Sequence, residues 1–129
     1  MSQTINWDAL IAEAKAARAG AYSPYSSFPV GAAARVDDGR IVTGCNVENA
    51  SYGLTLCAEC GLVSALHSTG GGKLQAVVCV DKDDRLIAPC GRCRQLLSEH
   101  SAPGMQIKID EGIFTIEELL PHSFGPQNL

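Results

Sequence analysis

Two Cys-x-x-Cys pairs, Cys57/Cys60 and Cys90/Cys93, constrain this chain more than any other feature of its sequence. Met1–Trp7 carries no basic region and no apolar signal core, so the protein is expected in the cytosol, where structural disulfides are rare. Zinc is then the first reading of the pairs: thiolates bind it tightly, and this spacing lets one turn of chain present two sulfurs. Cys45 and Cys79 stand alone beside the strand-like runs Ile41-Val42-Thr43 and Val77-Val78, and read as small buried apolar side chains.

The 129 residues suit a single domain spanning 1–129, and 46% hydrophobic against 19% charged residues leaves ample material for a core. The formal charge is −4, and the ten Lys and Arg are scattered from Lys15 to Lys108. A partner held by its phosphates needs clustered cations, so nucleic acid is not expected. No apolar run approaches the roughly 20 residues of a membrane span.

Trp7, Leu10, Ile11 and Ala14 recur at helical spacing, and Gly20 marks a stop. Residues 21–29, with two prolines and three serines, read as a loop. Val30–Val36 and Ile41–Val47 flank Asp37-Asp38-Gly39-Arg40, the pattern of an antiparallel hairpin. A helix is predicted from Cys57 to the Gly70-Gly71-Gly72 run, and a buried strand over Gln75–Val80. Pro89 is expected to open a short helix. Met105–Ile109 and Gly112–Ile116 read as strands, and Glu117–Leu120 as a last helical turn. The order α-β-β-α-β-α-β-β predicts an α/β fold, a three-layer α/β/α sandwich around a mixed five-stranded sheet.

Two metal readings compete. Four sulfurs enclosing zinc would make a structural module, suited to binding a partner; three sulfurs would leave a place for water and for catalysis. Small zinc ribbons draw their folding energy from the metal, whereas this chain has a full set of apolar elements. Both pairs also fall where helices begin, and a helix N-terminus stabilises a thiolate. Glu59, two positions after Cys57, tips the balance. A carboxylate beside three thiolates is costly unless it has a proton to move, and a Glu there can accept one from a water on the metal.

Cys57-Ala58-Glu59 followed by Pro89-Cys90-Gly91-Arg92-Cys93-Arg94-Gln95 resembles the two signatures of the small zinc-dependent cytidine deaminases. Tyr22–Ala33 is similar to that family's N-terminal loop and first strand, Gly44–Tyr52 to its ribose-binding segment, and Leu119–Gly125 to its C-terminal tail. The resemblance implies hydrolytic deamination of cytidine and 2′-deoxycytidine, with one zinc per subunit held by Cys57, Cys90 and Cys93. It implies Glu59 as the proton shuttle, Phe28 against the pyrimidine, Asn46 and Glu48 on the ribose hydroxyls, and backbone groups of Ala58 and Cys90 on the base edge. It further implies a homotetramer in which Tyr52 and Phe124 complete a neighbouring subunit's pocket.

One position departs from the pattern. Many members carry Arg directly after Cys-Ala-Glu, where it offsets the thiolate charge; here it is Cys60. Arg92 and Arg94, flanking Cys93, are expected to compensate, and Cys60 is expected to be a spectator, since a fourth sulfur would close the site. The rival enzymatic readings are a deaminase of a cytosine-nucleoside antibiotic, which Asn46 and Glu48 disfavour, and a nucleic-acid deaminase, which the charge disfavours. A dithiol redox pair would leave Glu59 and the two arginines unused. His67, His100 and His122 are read as ordinary surface or core residues.

Overall fold

The computed structural model describes residues 4–129, so the first three residues of the N-terminal segment read above for signals lie outside it. Helix α1 (Trp7–Arg18) is capped by Asn6, whose side chain accepts a hydrogen bond from the Ala9 N–H at 3.1 Å. The hairpin β1 (Gly31–Val36) and β2 (Ile41–Cys45) follows, then α2 (Ala58–Ser68), β3 (Leu74–Val80), α3 (Gly91–His100), β4 (Ser101–Ile109), β5 (Gly112–Thr115) and the single turn α4 (Ile116–Leu119). The strands form one sheet in the order β2-β1-β3-β4-β5, parallel only between β3 and β4.

Alternation along the strands sends residues to both faces, as three layers require. Ala33, Val78 and Val80 pack under Leu10 and Ala14 of α1. Ala34, Val77 and Ile107 face the other way, against Leu62 and Leu66 of α2 and Leu97 of α3. The expected sandwich is what forms.

Several boundaries differ from the sequence reading. β2 ends at Cys45 rather than Val47, because the Asn46 side chain takes over from the ladder: Oδ1 accepts from the Val30 N–H at 2.9 Å and Nδ2 donates to the Phe28 carbonyl at 2.9 Å. Pro89 does not open α3; Cys90 is its cap and Pro89 lies buried just before it. α4 starts one residue earlier than expected, at Ile116, because Thr115 and Glu118 close a reciprocal capping box. β4 begins at Ser101, four residues before the alternation of Met105–Ile109, with a register shift in its pairing to β3.

The topology decides where the site can be. β2 and β3 are both antiparallel to β1, so they run the same way, and each is followed by a helix on the same face. α2 and α3 therefore start at one end of the sheet, where Cys45, Gly31 and Val80 stand side by side. Two glycines let the layers close: a side chain on Gly31 would collide with the backbone of α1, and one on Gly44 with the backbone of α2.

Candidate active site

At that end of the sheet the sulfurs of Cys57, Cys90 and Cys93 lie within 4.8 Å of one another, the one such group of potential metal ligands among the described residues. Cys57 caps α2 and Cys90 caps α3, with the Cys90 sulfur accepting the Cys93 N–H at 3.4 Å. The sulfurs of a tetrahedral zinc site, at about 2.3 Å from the ion, stand about 3.8 Å apart, so this cluster fits the metal with little adjustment. All six cysteines are free thiols, and Cys60 lies outside the cluster. Three clustered sulfurs, two of them bordering a cavity and none joined by a fourth, match the catalytic pattern better than the closed structural one.

The thiols differ in their acidity. Burial pushes Cys93 far up, and the negative charge of Glu59 adds to it; burial also raises Cys57. Burial acts in the same direction on Cys90, but hydrogen bonds from the Cys93 N–H and from neighbouring thiols outweigh it and hold Cys90 below the ordinary thiol value. Cation binding supplies what the other two sulfurs need in order to ionise.

Glu59 is 5% exposed and, among the described residues, has no ion-pair partner. Burial raises its carboxyl above the usual range, against hydrogen bonds from its own backbone and from the Cys93 and Cys79 thiols. It borders a cavity of about 200 Å³ together with Cys57, Ala58, Cys90, Cys79 and Asn46. Thr55 joins this cavity to an outer cleft of about 430 Å³ lined by Tyr25, Ser26, Glu48 and Tyr52. The inner space suits one small ring, and the outer cleft a polar appendage. A larger cavity, of about 680 Å³, lies on the α1 side of the sheet beside Trp7 and Gln106 and is lined by no thiol.

Of the residues singled out in the sequence, Cys57, Cys90, Ala58, Glu59 and Asn46 border the inner cavity, and Cys93 is buried in the sulfur cluster. Glu48 and Tyr52 border the outer cleft. Glu48 accepts from the Ser26 hydroxyl, which does most to hold its carboxyl below the usual range, and from the Tyr25 N–H at 3.0 Å and the Ser26 N–H at 3.2 Å, which act in the same direction against burial. Asn46, bonded to the chain on either side of Pro29, keeps one N–H and one lone pair free for a ligand. Phe28 and Phe124 stand outside both spaces, and Tyr52 is 78% exposed.

The two arginines part company. Arg92 reaches the Cys60 sulfur at 4.0 Å and the Thr55 carbonyl at 3.4 Å. Arg94 makes no hydrogen bond to a clustered sulfur; its guanidinium donates to the Pro89 and Leu119 carbonyls instead. Residues that sequence reading passed over also shape the cavity, namely Val30, Thr55, Leu56, Ile87 and Ala88. Cys79, by sequence a small buried apolar side chain, borders the cavity beside Glu59 with its buried thiol, where burial and that carboxylate hold it protonated.

The family model for the cytidine and deoxycytidylate deaminase zinc-binding region matches residues 5–108. A cytidine deaminase of Mycobacterium tuberculosis is 58% identical over 127 residues, covering 97% of this chain and 94% of that protein. One from Halalkalibacterium halodurans is 41% identical over 125 residues, covering 93% and 95%. Among solved structures, the cytidine deaminase of M. tuberculosis superposes with a TM-score of 0.91 at 57% identity, covering 95% of this chain and 99% of that one. The Mycobacterium leprae enzyme superposes at 0.90 with 58% identity, covering 92% and 100%.

Proposed function

The chain belongs to the cytidine deaminase family, whose cofactor is zinc and whose members hydrolyse the C4 amino group of cytosine nucleosides, and on that premise we propose roles for the residues gathered at the head of α2 and α3. Cys57, Cys90 and Cys93 hold the zinc. The metal supplies Lewis acidity, which brings water ionisation from a pKa of about 15.7 toward 7. The inner cavity takes the pyrimidine, with backbone groups of Ala58 and Cys90 on its edge; Phe28, which lines neither space in the single chain, comes against the ring face when substrate is bound. Asn46, on the inner cavity, and Glu48, in the outer cleft, bind the sugar hydroxyls, and cytidine and 2′-deoxycytidine are the substrates.

Glu59 takes a proton from the attacking water and delivers it to ring N3, which leaves C4 electron-poor. It then passes the second proton to the departing amine. Water and nucleoside are consumed, and uridine or deoxyuridine and ammonia leave. A carboxyl raised by burial suits both directions of this transfer, since it neither holds its proton too loosely nor surrenders its basicity. Arg92, whose guanidinium reaches the Cys60 sulfur at 4.0 Å, brings positive charge to the position where Cys60 replaces the usual arginine, while Arg94, bonded to the Pro89 and Leu119 carbonyls, serves the site by position and not as a counter-charge.

The active form is a homotetramer. Tyr22, Tyr25, Tyr52, Leu54, Leu56 and Phe124 are all exposed in the single chain, and their burial between subunits supports this reading. Tyr52 and Phe124 complete a neighbour's pocket. The enzyme works in the cytosol, recovering pyrimidine nucleosides.

The observation that carries this reading is a buried carboxylate without a cationic partner on the wall of a cavity that two of the three clustered sulfurs share. Glu59→Gln tests it: the variant retains one zinc per chain and loses about 10²–10⁴-fold in turnover, followed by cytidine absorbance. Near-normal turnover would remove Glu59 from the mechanism, and wild-type protein that holds zinc but leaves cytidine unchanged would remove the function.

A further inference from the structure

Neighbouring side chains on α3 reach three backbone carbonyls that no strand or helix claims. Arg94 Nε donates to the Pro89 carbonyl at 2.9 Å and Nη1 to the Leu119 carbonyl at 3.0 Å. Gln95 Nε2 donates to the Phe124 carbonyl at 2.8 Å. Each acceptor has a place in the site. Pro89 is buried and immediately precedes Cys90, so its peptide sets where that sulfur stands. Leu119 closes α4, where a last-turn carbonyl lacks a helical partner. Phe124 heads the segment assigned above to a neighbour's pocket.

The chemistry of the two donors explains the division of labour. A guanidinium is a rigid fork that bonds two acceptors at once in fixed relative positions; an ammonium of equal charge cannot hold that geometry. Arg94 is half-buried with its donors turned toward carbonyls, so its work is geometric before it is electrostatic. Gln95 carries no charge, and its side-chain hydrogen bond goes to the tail.

We propose that Arg94 is a positioning residue that ties the Pro89–Cys90 turn to the end of α4, so that the metal-holding turn and the Phe124 segment, pinned in addition by Gln95, are placed as one unit. The tie rests on the assignment of Cys90 as a zinc ligand. It divides into two functions. Arg94 governs how long zinc is retained and how the tail is seated. Gln95 governs the tail alone.

The test uses zinc-loaded full-length protein with Arg94→Lys, Arg94→Gln and Gln95→Leu. Three readouts are taken: zinc transfer to a colorimetric chelator, protease cleavage beyond Leu119, and kcat and KM for cytidine. Both Arg94 variants release zinc at least about tenfold faster than wild type, the scale expected when a group supporting a metal ligand is lost, and both become cleavable beyond Leu119. Gln95→Leu becomes cleavable there and gains a higher KM, with zinc release unchanged. If Arg94→Gln fails to fold, Arg94→Lys and Gln95→Leu decide the matter.

Arg94→Lys releasing zinc at the wild-type rate would overturn the proposal, since charge alone would then suffice. Gln95→Leu losing zinc as quickly as the Arg94 variants would also overturn it, by showing general loosening. Active wild type with unaltered Arg94 variants removes the tie and leaves the deaminase. Zinc-bound but inactive wild type removes the deaminase and leaves the tie.

Discussion

Replacing Gly44 by alanine tests whether the α2–β2 contact sets the geometry of catalysis. The added Cβ would stand 2.5 Å from the Leu62 nitrogen and nearer still to the Ala58 carbonyl oxygen. Ordinary contact begins at 3.4 Å, so more than about 0.9 Å has to be found. Both obstructing atoms are backbone, and no side chain can swing aside, so α2 itself must withdraw from the sheet. Overpacking of this kind costs about 1–3 kcal/mol. The withdrawal falls on the first turn of α2, which presents Cys57, Ala58 and Glu59, and a misplacement of about 1 Å at a catalytic group is worth about 10²-fold in rate. Gly44→Ala is therefore expected to fold with a lowered Tm, and to lose about 10²-fold in kcat, measured by cytidine absorbance with zinc content checked in parallel. Gly61→Ala is the control, because its Cβ would meet the same interface no nearer than 3.6 Å. A Gly44→Ala enzyme of normal rate, or a Gly61→Ala enzyme equally impaired, would refute the reasoning.

Asp81 is buried and accepts the Asp83 and Arg85 N–H groups at 2.8 and 2.9 Å, so Asp81→Ala should lower stability by about 1–3 kcal/mol while leaving turnover intact; denaturant midpoints and rates measured together check this. Glu48→Ala removes the acceptor that organises Tyr25 and Ser26, and is expected to raise KM for cytidine far more than it lowers kcat, with unchanged zinc content; a pure kcat effect would contradict that role. His100 is held below its usual pKa by burial first and by the charge of His67 second, with the two rings 3.2 Å apart at their nearest nitrogens. Its neutral form is favoured in the folded state. The stability this gives is present above the unfolded value of about 6.5 and is lost as pH falls through the lowered folded value. Tm should thus fall less steeply between pH 7.5 and 5.5 in His100→Gln than in wild type, and parallel slopes would exclude the pair as a pH-sensitive contact.

What could be read from the sequence follows from the range of the interactions that produce it. Helix periodicity, the hairpin turn and the spacing of Cys57, Glu59, Cys90 and Cys93 are local, and the elements formed close to where the pattern placed them. The end of β2 was not local: Asn46 stops the ladder by bonding Phe28 and Val30, 18 and 16 residues away. Arg94 was read by its sign, as a counter-charge to thiolates, but its partner Leu119 lies 25 residues downstream, and charge carries no information about which carbonyl will be nearby. Cys79 looked like any small residue of a buried strand. Its place beside Glu59 depends on the register of β3 and on how α2 sits over Gly44, and a single sequence gives neither.

The strand directions also set the electrostatics of the site. β2 and β3 run the same way only because β1 lies between them and antiparallel to both, and so both following helices begin at one end of the sheet. Three thiolates and a zinc ion sum to −3 + 2, or −1, next to a buried carboxylate that must be able to give up its proton. Each helix N-terminus is equivalent to about +0.5 of a charge, so two of them offset about as much as the sulfurs leave over. An arginine after Glu59 is then one way of neutralising such a site and not a requirement, which allows Cys60 to occupy that position. A fold that brought α2 to the cluster by its C-terminal end would add negative charge to negative charge, and the same four residues at the same spacing would make a poorer deaminase.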